Sequence, residues 1–233
     1  MGRRDKFYAI IGDIVSSRSL SDRSEVQKKL KGVLEWVNSE FRSSIAANFL
    51  ITLGDEFQGL LCERCEDSPI RIAFEIRRLM HPVKIRISIG CGELSTEVDP
   101  LFAIGADGEA FYIAREGIES LRSMEKHGGY AVKGGIVVGT GSGKWDKYLN
   151  EILSLSNTLE EGWTERQREI AAEHTRICLA NEKKTQLDLA GEFGISQGSL
   201  SKSLTVSRAR EYARGLLVAS EMLKTICLME DTE

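Results

Sequence analysis

Three carboxylates follow or interrupt apolar segments of the chain. Asp13 stands near the end of the apolar run at residues 7–14 (FYAIIGDI), and Asp55 and Glu56 separate two apolar runs at residues 49–61 (FLITLGDEFQGLL). Carboxylates held close together repel one another unless a cation neutralises them. Mg²⁺ is typically bound by one or two carboxylates, with phosphates and water completing its shell. The pattern therefore favours a Mg²⁺ or Mn²⁺ site for nucleotide phosphates, and the alternative is an ordinary hairpin turn.

Polar residues directly after Asp13 suggest a place for phosphate. Ser16, Ser17 and Arg18 lie where the next helix is expected to begin, and backbone N–H groups and hydroxyls at such an end suit a phosphate. The alternative is a solvated loop with capping serines. The turn GADG at residues 105–108 is interpreted either as a second phosphate cradle or, more simply, as a helix entry with Asp107 as N-cap.

The periodicity of the apolar residues predicts the elements that would position these side chains. Strands are expected at 7–14, on both sides of the turn within 49–61, at 83–92 and at 130–138, with a short strand near 101–104. Helices are expected at 24–41, 69–80 and 107–124. The order contains βαββαβ, the ferredoxin-like order. The first strand then lies beside the hairpin, so that Asp13 and Asp55 are expected to face one another.

These segments resemble nucleotide-binding families. AIIGDIV, LITLGDEFQGLL, IRISIGCGEL and IGADGEAFYIAREGI occur in the order found in class III nucleotide cyclases, and LGDEF is similar to the signature hairpin of the GGDEF diguanylate cyclases. The chain most fully resembles the SatD family of small bacterial and archaeal proteins, whose members carry similar GDIVSSR, GDEFQG and GADG motifs. The resemblance covers residues 7–121 well and the remainder loosely, and it implies a palm domain.

The resemblance also implies roles for particular residues. Asp13 and Asp55 fall on the metal-binding acids of cyclases, and Ile14 falls on a residue that binds metal through its backbone carbonyl. Arg115 falls on an arginine that contacts the triphosphate, and Glu56 is a further candidate metal ligand.

Two positions depart from the cyclase patterns. Phe111 replaces the asparagine that orients the ribose, and Leu53 replaces the second glycine of GGDEF. The metal pair is thus retained, whereas the part that orients substrate is altered. The sequence therefore allows two alternatives, which are catalysis by Asp13, Asp55 and Arg115 and nucleotide binding without catalysis.

Residues 184–204 (KTQLDLAGEFGISQGSLSKSL) have the pattern of a helix-turn-helix. Thr185 caps the first helix, Gly194 ends it and Ser196 caps the second. The second helix would enter the DNA major groove with its outward-facing residues, which are Gln197, Ser199, Ser201 and Lys202. WTERQREI, at residues 163–170, has a capping box and resembles the first helix of sigma-region-four and response-regulator DNA-binding domains. The alternatives are a helical packing or dimerisation domain and a docking site for another protein.

The glycine-rich segment at residues 139–143 (GTGSG) marks the expected domain boundary. The predicted architecture is α/β (an α+β sandwich): a ferredoxin-like palm domain at 1–140, followed by a small all-helical domain at 144–233 with the helix-turn-helix at about 164–210. Residues 183–215 contain six basic and three acidic residues in a chain of net charge −4. This local basic excess suits a module that contacts nucleic acid.

Composition restricts where the protein is expected to act. No run of about 18 apolar residues is present, so that a membrane span is not expected. The five cysteines are an odd number, and Cys91 and Cys178 lie in apolar stretches, which suits a reducing cytoplasm better than a disulfide framework. The resemblance to class III cyclases, which work as dimers, suggests a homodimer.

Three functions are compatible with these patterns. The leading hypothesis is a cytoplasmic regulator that binds a nucleotide with a divalent metal in its palm domain and DNA through its helix-turn-helix. The first alternative is a metal-dependent nucleotidyl cyclase or nucleotidyltransferase that uses Asp13 and Asp55. The second is a structural interaction protein without an active site.

Overall fold

The computed structural model describes residues 5–16, 22–101, 103, 105–127 and 134–228. The strands in these ranges are β1 (Phe7–Ile14), β2 (Ile45–Ile51), β3 (Glu56–Leu61), β4 (Ile85–Gly92) and β5 (Gly135–Gly139). The helices are α1 (Arg23–Glu40), α2 (Pro69–Met80), α3 (Glu109–Lys126), α4 (Gly143–Glu161), α5 (Glu165–Leu179), α6 (Gln186–Glu192), α7 (Gln197–Val206) and α8 (Ala209–Leu228).

Most predicted elements are confirmed, and two need comment. Of the predicted short strand at 101–104, Leu101 lies in a turn and Ala103 in no regular element, while residues 102 and 104 lie outside the described residues. The strand predicted at 130–138 is observed as β5, and residues 130–133 are likewise outside the described part.

The sheet has the strand order β2-β3-β1-β4-β5. The pairs among β1, β2, β3 and β4 are antiparallel, which is the ferredoxin-like arrangement expected from the order of elements. The crossover through α3 adds β5 parallel to β4. The mixed sheet confirms the α+β class and places β1 at the centre, between β3 and β4.

The two faces of the sheet pack against different helices. Tyr8 and Ile10 of β1 belong to a large apolar cluster with α1 and α2, whereas Ala9 and Ile11 belong to a smaller cluster with α3. Helix α3 lies very close to β4, because a Cβ added at Gly90 would approach a backbone oxygen of α3 to 2.1 Å. Side chains alternate along a strand, so that Asp13 lies on the same face of β1 as Ala9 and Ile11. Its cross-strand neighbours Glu56 and Arg86 share this face, which is the one that α3 covers.

The C-terminal helices pack on the sheet side that carries α1 and α2. The large apolar cluster is continuous from β1 through α4 and α5 to α8. Cys91 of β4 and Cys227 of α8 form a disulfide, with their Cα atoms 6.5 Å apart. Cys91 and Cys227 are 136 residues apart, and the sequence does not show that β4 and α8 are neighbours. The division into domains near residues 140–144 stays a prediction.

Within the described ranges, no helix has the length and apolar character needed to span a bilayer.

Candidate functional site

The register between β1 and β3 decides which acids meet. Asp13 is directly opposite Glu56 rather than Asp55. Asp55 lies in the turn that joins β2 to β3, and its backbone carbonyl accepts a hydrogen bond from the N–H of Ile14 at 3.2 Å. Residues directly opposite one another in an antiparallel pair share a face, and a shift of one residue reverses the face. The sequence predicts that Asp13 faces Asp55, but in the structure Asp13 faces Glu56.

Two arginines surround the buried carboxylate of Asp13, whose exposed fraction is 3%. Arg86, its neighbour on β4, donates through Nη1 to both carboxylate oxygens at 3.0 and 3.1 Å. Arg122 of α3 donates to Oδ2 through Nη2 at 2.6 Å and through Nε at 2.9 Å. Asp13 is thus neutralised by side chains of the protein itself.

The same arginines bind two further acids. Arg122 donates to Glu56 Oε1 at 2.8 Å, so that its guanidinium bridges the two carboxylates of the cross-strand pair. Arg86 donates to both oxygens of Glu125 at 3.0 and 2.5 Å. Burial lowers the pKa of both arginines, but their hydrogen bonds to these carboxylates outweigh burial, and the net pKa of each is raised. Both guanidiniums therefore remain charged.

In this arrangement Arg122 occupies the place that a divalent cation shared by Asp13 and Glu56 would need. Arg122 lies between the two carboxylates that would share the ion, and both oxygens of Asp13 already accept hydrogen bonds from guanidinium groups. Among the residues that the structure describes, no three His, Cys, Asp or Glu side chains form a group that could hold a metal ion. The predicted set of Asp13, Ile14, Asp55 and Glu56 would require Arg122 to move away, and Mg²⁺ or Mn²⁺ binding stays a prediction.

A cavity of about 550 Å³ opens beside this charge network. Thr52, Glu56 and Gln58 line it from the hairpin, and Arg115, Glu119 and Arg122 line it from α3. Arg115 and Arg122 are seven residues apart on one helix, so that they lie on the same face two turns apart. Arg115, the predicted phosphate contact, thus lines the same cavity as Arg122. Arg122 was not predicted from the sequence, although its spacing from Arg115 could have indicated it.

The other predicted phosphate contacts are only partly described. Ser16 follows β1, is exposed and lines a small neighbouring cavity with Arg86 and Arg122. Ser17 and Arg18 lie outside the described residues.

The helix entry at residues 105–108 differs from expectation. Gly108, not Asp107, is the N-cap of α3, and Asp107 instead accepts a hydrogen bond from the hydroxyl of Tyr112 at 2.8 Å. Gly108 has a φ of 147° and approaches the backbone near Leu94, which leaves no room for a side chain. Phe111, in the first turn of the helix, is buried against the sheet. Packing thus explains the residue that replaces the ribose-binding asparagine of the cyclase pattern.

The helix-turn-helix forms as predicted from its caps. Thr185 and Asp188 make a capping box at the start of α6, and the Ser196 hydroxyl accepts from the Ser199 N–H at the start of α7. Gly194, with a φ of 62°, ends the first of these helices, and the Ile195 N–H donates to the Ala190 carbonyl at 3.0 Å. The turn geometry therefore follows from local side-chain chemistry.

Helix α7 presents a polar surface. Leu200 and Leu204 are fully buried, whereas Gln197, Ser199 and Lys202 are exposed and Ser201 is half-buried. Lys184, just before α6, forms ion pairs with Glu192 at 2.6 Å and with Glu173 at 3.8 Å. Part of the basic excess in residues 183–215 is thus paired with acids of the same chain.

The chain matches the model of one protein family, and its structure is distantly similar to two solved structures. The model of the SatD family matches residues 7–223. No curated protein matches the chain significantly. A bacterial light-regulated adenylyl cyclase is 12% identical with a TM-score of 0.38, over 58% of this chain and 77% of that one. A regulator of polyketide synthase expression from Bifidobacterium adolescentis is 13% identical with a TM-score of 0.29, over 96% of this chain and 83% of that one.

Proposed function

The chain belongs to the SatD family, and we propose that it is a cytoplasmic DNA-binding regulator whose palm-like domain binds the phosphates of a nucleotide. The observation that carries this proposal is the pair Arg115 and Arg122, which face one cavity from the same side of α3. The DNA-binding half has separate support in the exposed polar surface of α7.

The nucleotide would be held by the two arginines. Arginine binds phosphate oxygens through several N–H donors in a fixed geometry, which makes it well suited to this ligand. Arg115 is exposed, and Arg122 is already committed to Asp13 and Glu56. A phosphate that attracts Arg122 would therefore compete with these two carboxylates. If a divalent ion accompanies the phosphates, Asp13 and Glu56 become accessible to it only after this competition.

Calorimetry of the full-length chain tests the nucleotide half. The titrants are the four ribonucleoside triphosphates and inorganic triphosphate, each with and without Mg²⁺. We expect binding of at least one nucleotide and its loss in Arg115→Ala. The control is Arg64→Ala, which removes an arginine that is largely exposed and does not line the cavity. Absence of binding by every titrant would refute this half.

Helix α7 would lie in the major groove, where short polar side chains at the start of a recognition helix contact base edges. Lys202, which is exposed, would contact a phosphate. Helix-turn-helix proteins commonly bind two half-sites as dimers, and a homodimer is part of the proposal.

Selection from a random duplex library tests the DNA half. Fluorescence anisotropy of the enriched duplex should show affinity that falls with salt, and Lys202→Ala should reduce the slope of log K against log salt by about one. Lys147→Ala, which removes an exposed lysine of α4, is the control. Sedimentation of the complex reports the number of protein copies bound. Failure to enrich any duplex would remove DNA binding from the proposal.

The enzyme alternative is a nucleotidyl cyclase or nucleotidyltransferase that uses Asp13, Asp55 and Arg115. It has less support, because the oxygens of Asp13 are bound by two arginines and Asp55 lies in the turn. Mass spectrometry after incubation with nucleoside triphosphates and Mg²⁺ or Mn²⁺ separates the two functions, since a cyclic or linked product requires an enzyme.

A further inference from the structure

A second cavity, of about 470 Å³, lies where the C-terminal helices meet α2. Its wall combines residues of α2 with residues of α5, the end of α6 and Tyr212 of α8. The volume is that of a site for a small organic molecule. We call it the interhelix cavity.

The floor of the interhelix cavity is aromatic. Phe74, Trp163 and Tyr212 are buried, with exposed fractions of 4%, 9% and 2%. The rings of Trp163 and Tyr212 meet edge to face with centroids 4.9 Å apart. The hydroxyl of Tyr212 and the indole N–H of Trp163 both have hydrogen-bond partners, in Glu160 and in a backbone carbonyl. The polar atoms of these two rings are therefore satisfied, and the Arg168 guanidinium lies 5.8 Å from the centroid of the Trp163 ring.

The mouth of the interhelix cavity is acidic. Glu165, Glu169 and Glu192 have side-chain exposures of 76%, 58% and 50%. Glu165 and Glu169 pair with His81 and Arg166, whose side chains are 36% and 53% exposed, whereas Glu192 is bound at 2.6 Å by Lys184, which is 22% exposed. Ion pairs of this kind contribute little and exchange readily with solvent. A ligand that approaches the mouth therefore meets three carboxylates that are at least half exposed, of which Glu192 is bound by Lys184.

The basic residues of the wall are held by other acids. Arg77 and Arg168 both bind Glu160, at 3.2 and 2.9 Å, and Arg78 binds Glu75 at 2.7 Å. These guanidiniums have side-chain exposures of 15%, 18% and 25%, well below those of the acids at the mouth. An anion would have to break these bonds, whereas a cation at the mouth competes with Arg166 and Lys184 for carboxylates that are at least half exposed.

We propose that the interhelix cavity binds an organic cation with an aromatic or apolar body. The body would lie on Phe74, Trp163 and Tyr212, and the charged group would lie at the mouth beside Glu169 and Glu192. Aromatic surfaces and carboxylates together recognise such cations. The occupant would contact α2, which packs on the sheet, and the first helix of the helix-turn-helix at the same time.

The test uses the full-length chain and three small probes of similar size. Benzyltrimethylammonium is the cation, benzyl alcohol the neutral probe and benzoate the anion. We expect calorimetry to give a dissociation constant for the cation that is lower than that for benzoate by at least about tenfold, the factor that about 1.4 kcal/mol represents. Fluorescence of Trp163 should change on binding.

Variants test the location. Glu169→Gln with Glu192→Gln removes two charges from the mouth, and we expect the cation to bind several-fold more weakly. The control is Glu116→Gln with Glu151→Gln, two exposed acids of α3 and α4 outside the cavity, which should leave the affinity unchanged. Phe74→Leu preserves the apolar character of the floor but removes a ring, and it should also weaken binding.

Three outcomes would overturn the proposal. They are binding of benzoate as tight as that of the cation, no binding of the cation at millimolar concentration, and equal weakening by the mouth variant and its control. None of them depends on nucleotide or DNA binding.

Discussion

Arg122 and Asp13 are 109 residues apart in the chain, and their side chains meet at 2.6 Å at the end of the central strand. The contact joins α3 to the sheet at the point where β1 and β3 present their acids. It also gives these acids a positive charge that belongs to the protein. The repulsion between the carboxylates of Asp13 and Glu56 is thus offset by the positive charge of Arg122.

Replacement of Asp13 should destabilise the fold. Asp13→Asn leaves Arg86 and Arg122 without the buried carboxylate that both of them bind, and removal of one partner of a buried ion pair costs about 3 kcal/mol. Urea unfolding measures the loss. The exposed Asp5→Asn serves as control and should change the free energy of unfolding by less than about 0.5 kcal/mol. Equal stability of the two variants would show that the network contributes nothing.

Replacement of Arg122 should create affinity for Mg²⁺. In Arg122→Met the carboxylates of Asp13 and Glu56 lose the charge between them, so that repulsion favours a cation in its place. We expect calorimetry to show binding at least about tenfold tighter than in the natural chain, which corresponds to about 1.4 kcal/mol.

Arg115→Met is the matched control for the Arg122 variant. It removes an arginine from the same cavity. Among the described contacts, Arg122 hydrogen-bonds to Asp13, whereas Arg115 does not. Identical Mg²⁺ affinity in the natural chain and both variants would contradict the view that Arg122 takes the place of an ion.

Removal of the Tyr212 hydroxyl should loosen the junction between α8 and α4. This hydroxyl donates to Glu160 at 3.0 Å, and burial, followed by the charge of Glu160, raises the pKa of Tyr212 well above its ordinary value. Tyr212→Phe should cost about 1 kcal/mol of unfolding free energy. Tyr148→Phe, at an exposed position, should cost less than half as much, and a reversed order in thermal unfolding would refute the assignment.

Stability should fall as the pH decreases below about 6.5, with a contribution from His174. Burial, with the charge of Arg210, lowers the pKa of His174 from its ordinary value of 6.5. The unfolded chain therefore binds a proton at a higher pH than the folded chain does, so that stability is lost as the pH falls.

Urea unfolding at pH 7.5, 6.5 and 5.5 measures this dependence. His174→Gln should make the decrease smaller. His127→Gln, at an exposed histidine, should leave it as in the natural chain. A slope that is unchanged in the His174 variant would show that this side chain does not titrate differently on folding.

Local chemistry made several elements predictable. Helix α2 begins at Pro69 because Ser68 caps it and proline suits the first helical position. The turn between α6 and α7 follows from Gly194 and Ser196, whose conformation and hydrogen bond involve only neighbouring residues. The positions of the acids near strand ends were predictable for the same reason.

The sequence by itself determined the main helices, the five strands of the sheet, their order and the helix-turn-helix, because caps, turns and apolar periodicity act over a few residues. Only the tertiary structure decided that Asp13 meets Glu56 rather than Asp55, and that Arg86 and Arg122 neutralise it. Strand register and the docking of α3 set these contacts. Both depend on packing between segments far apart in the chain, which no local pattern encodes.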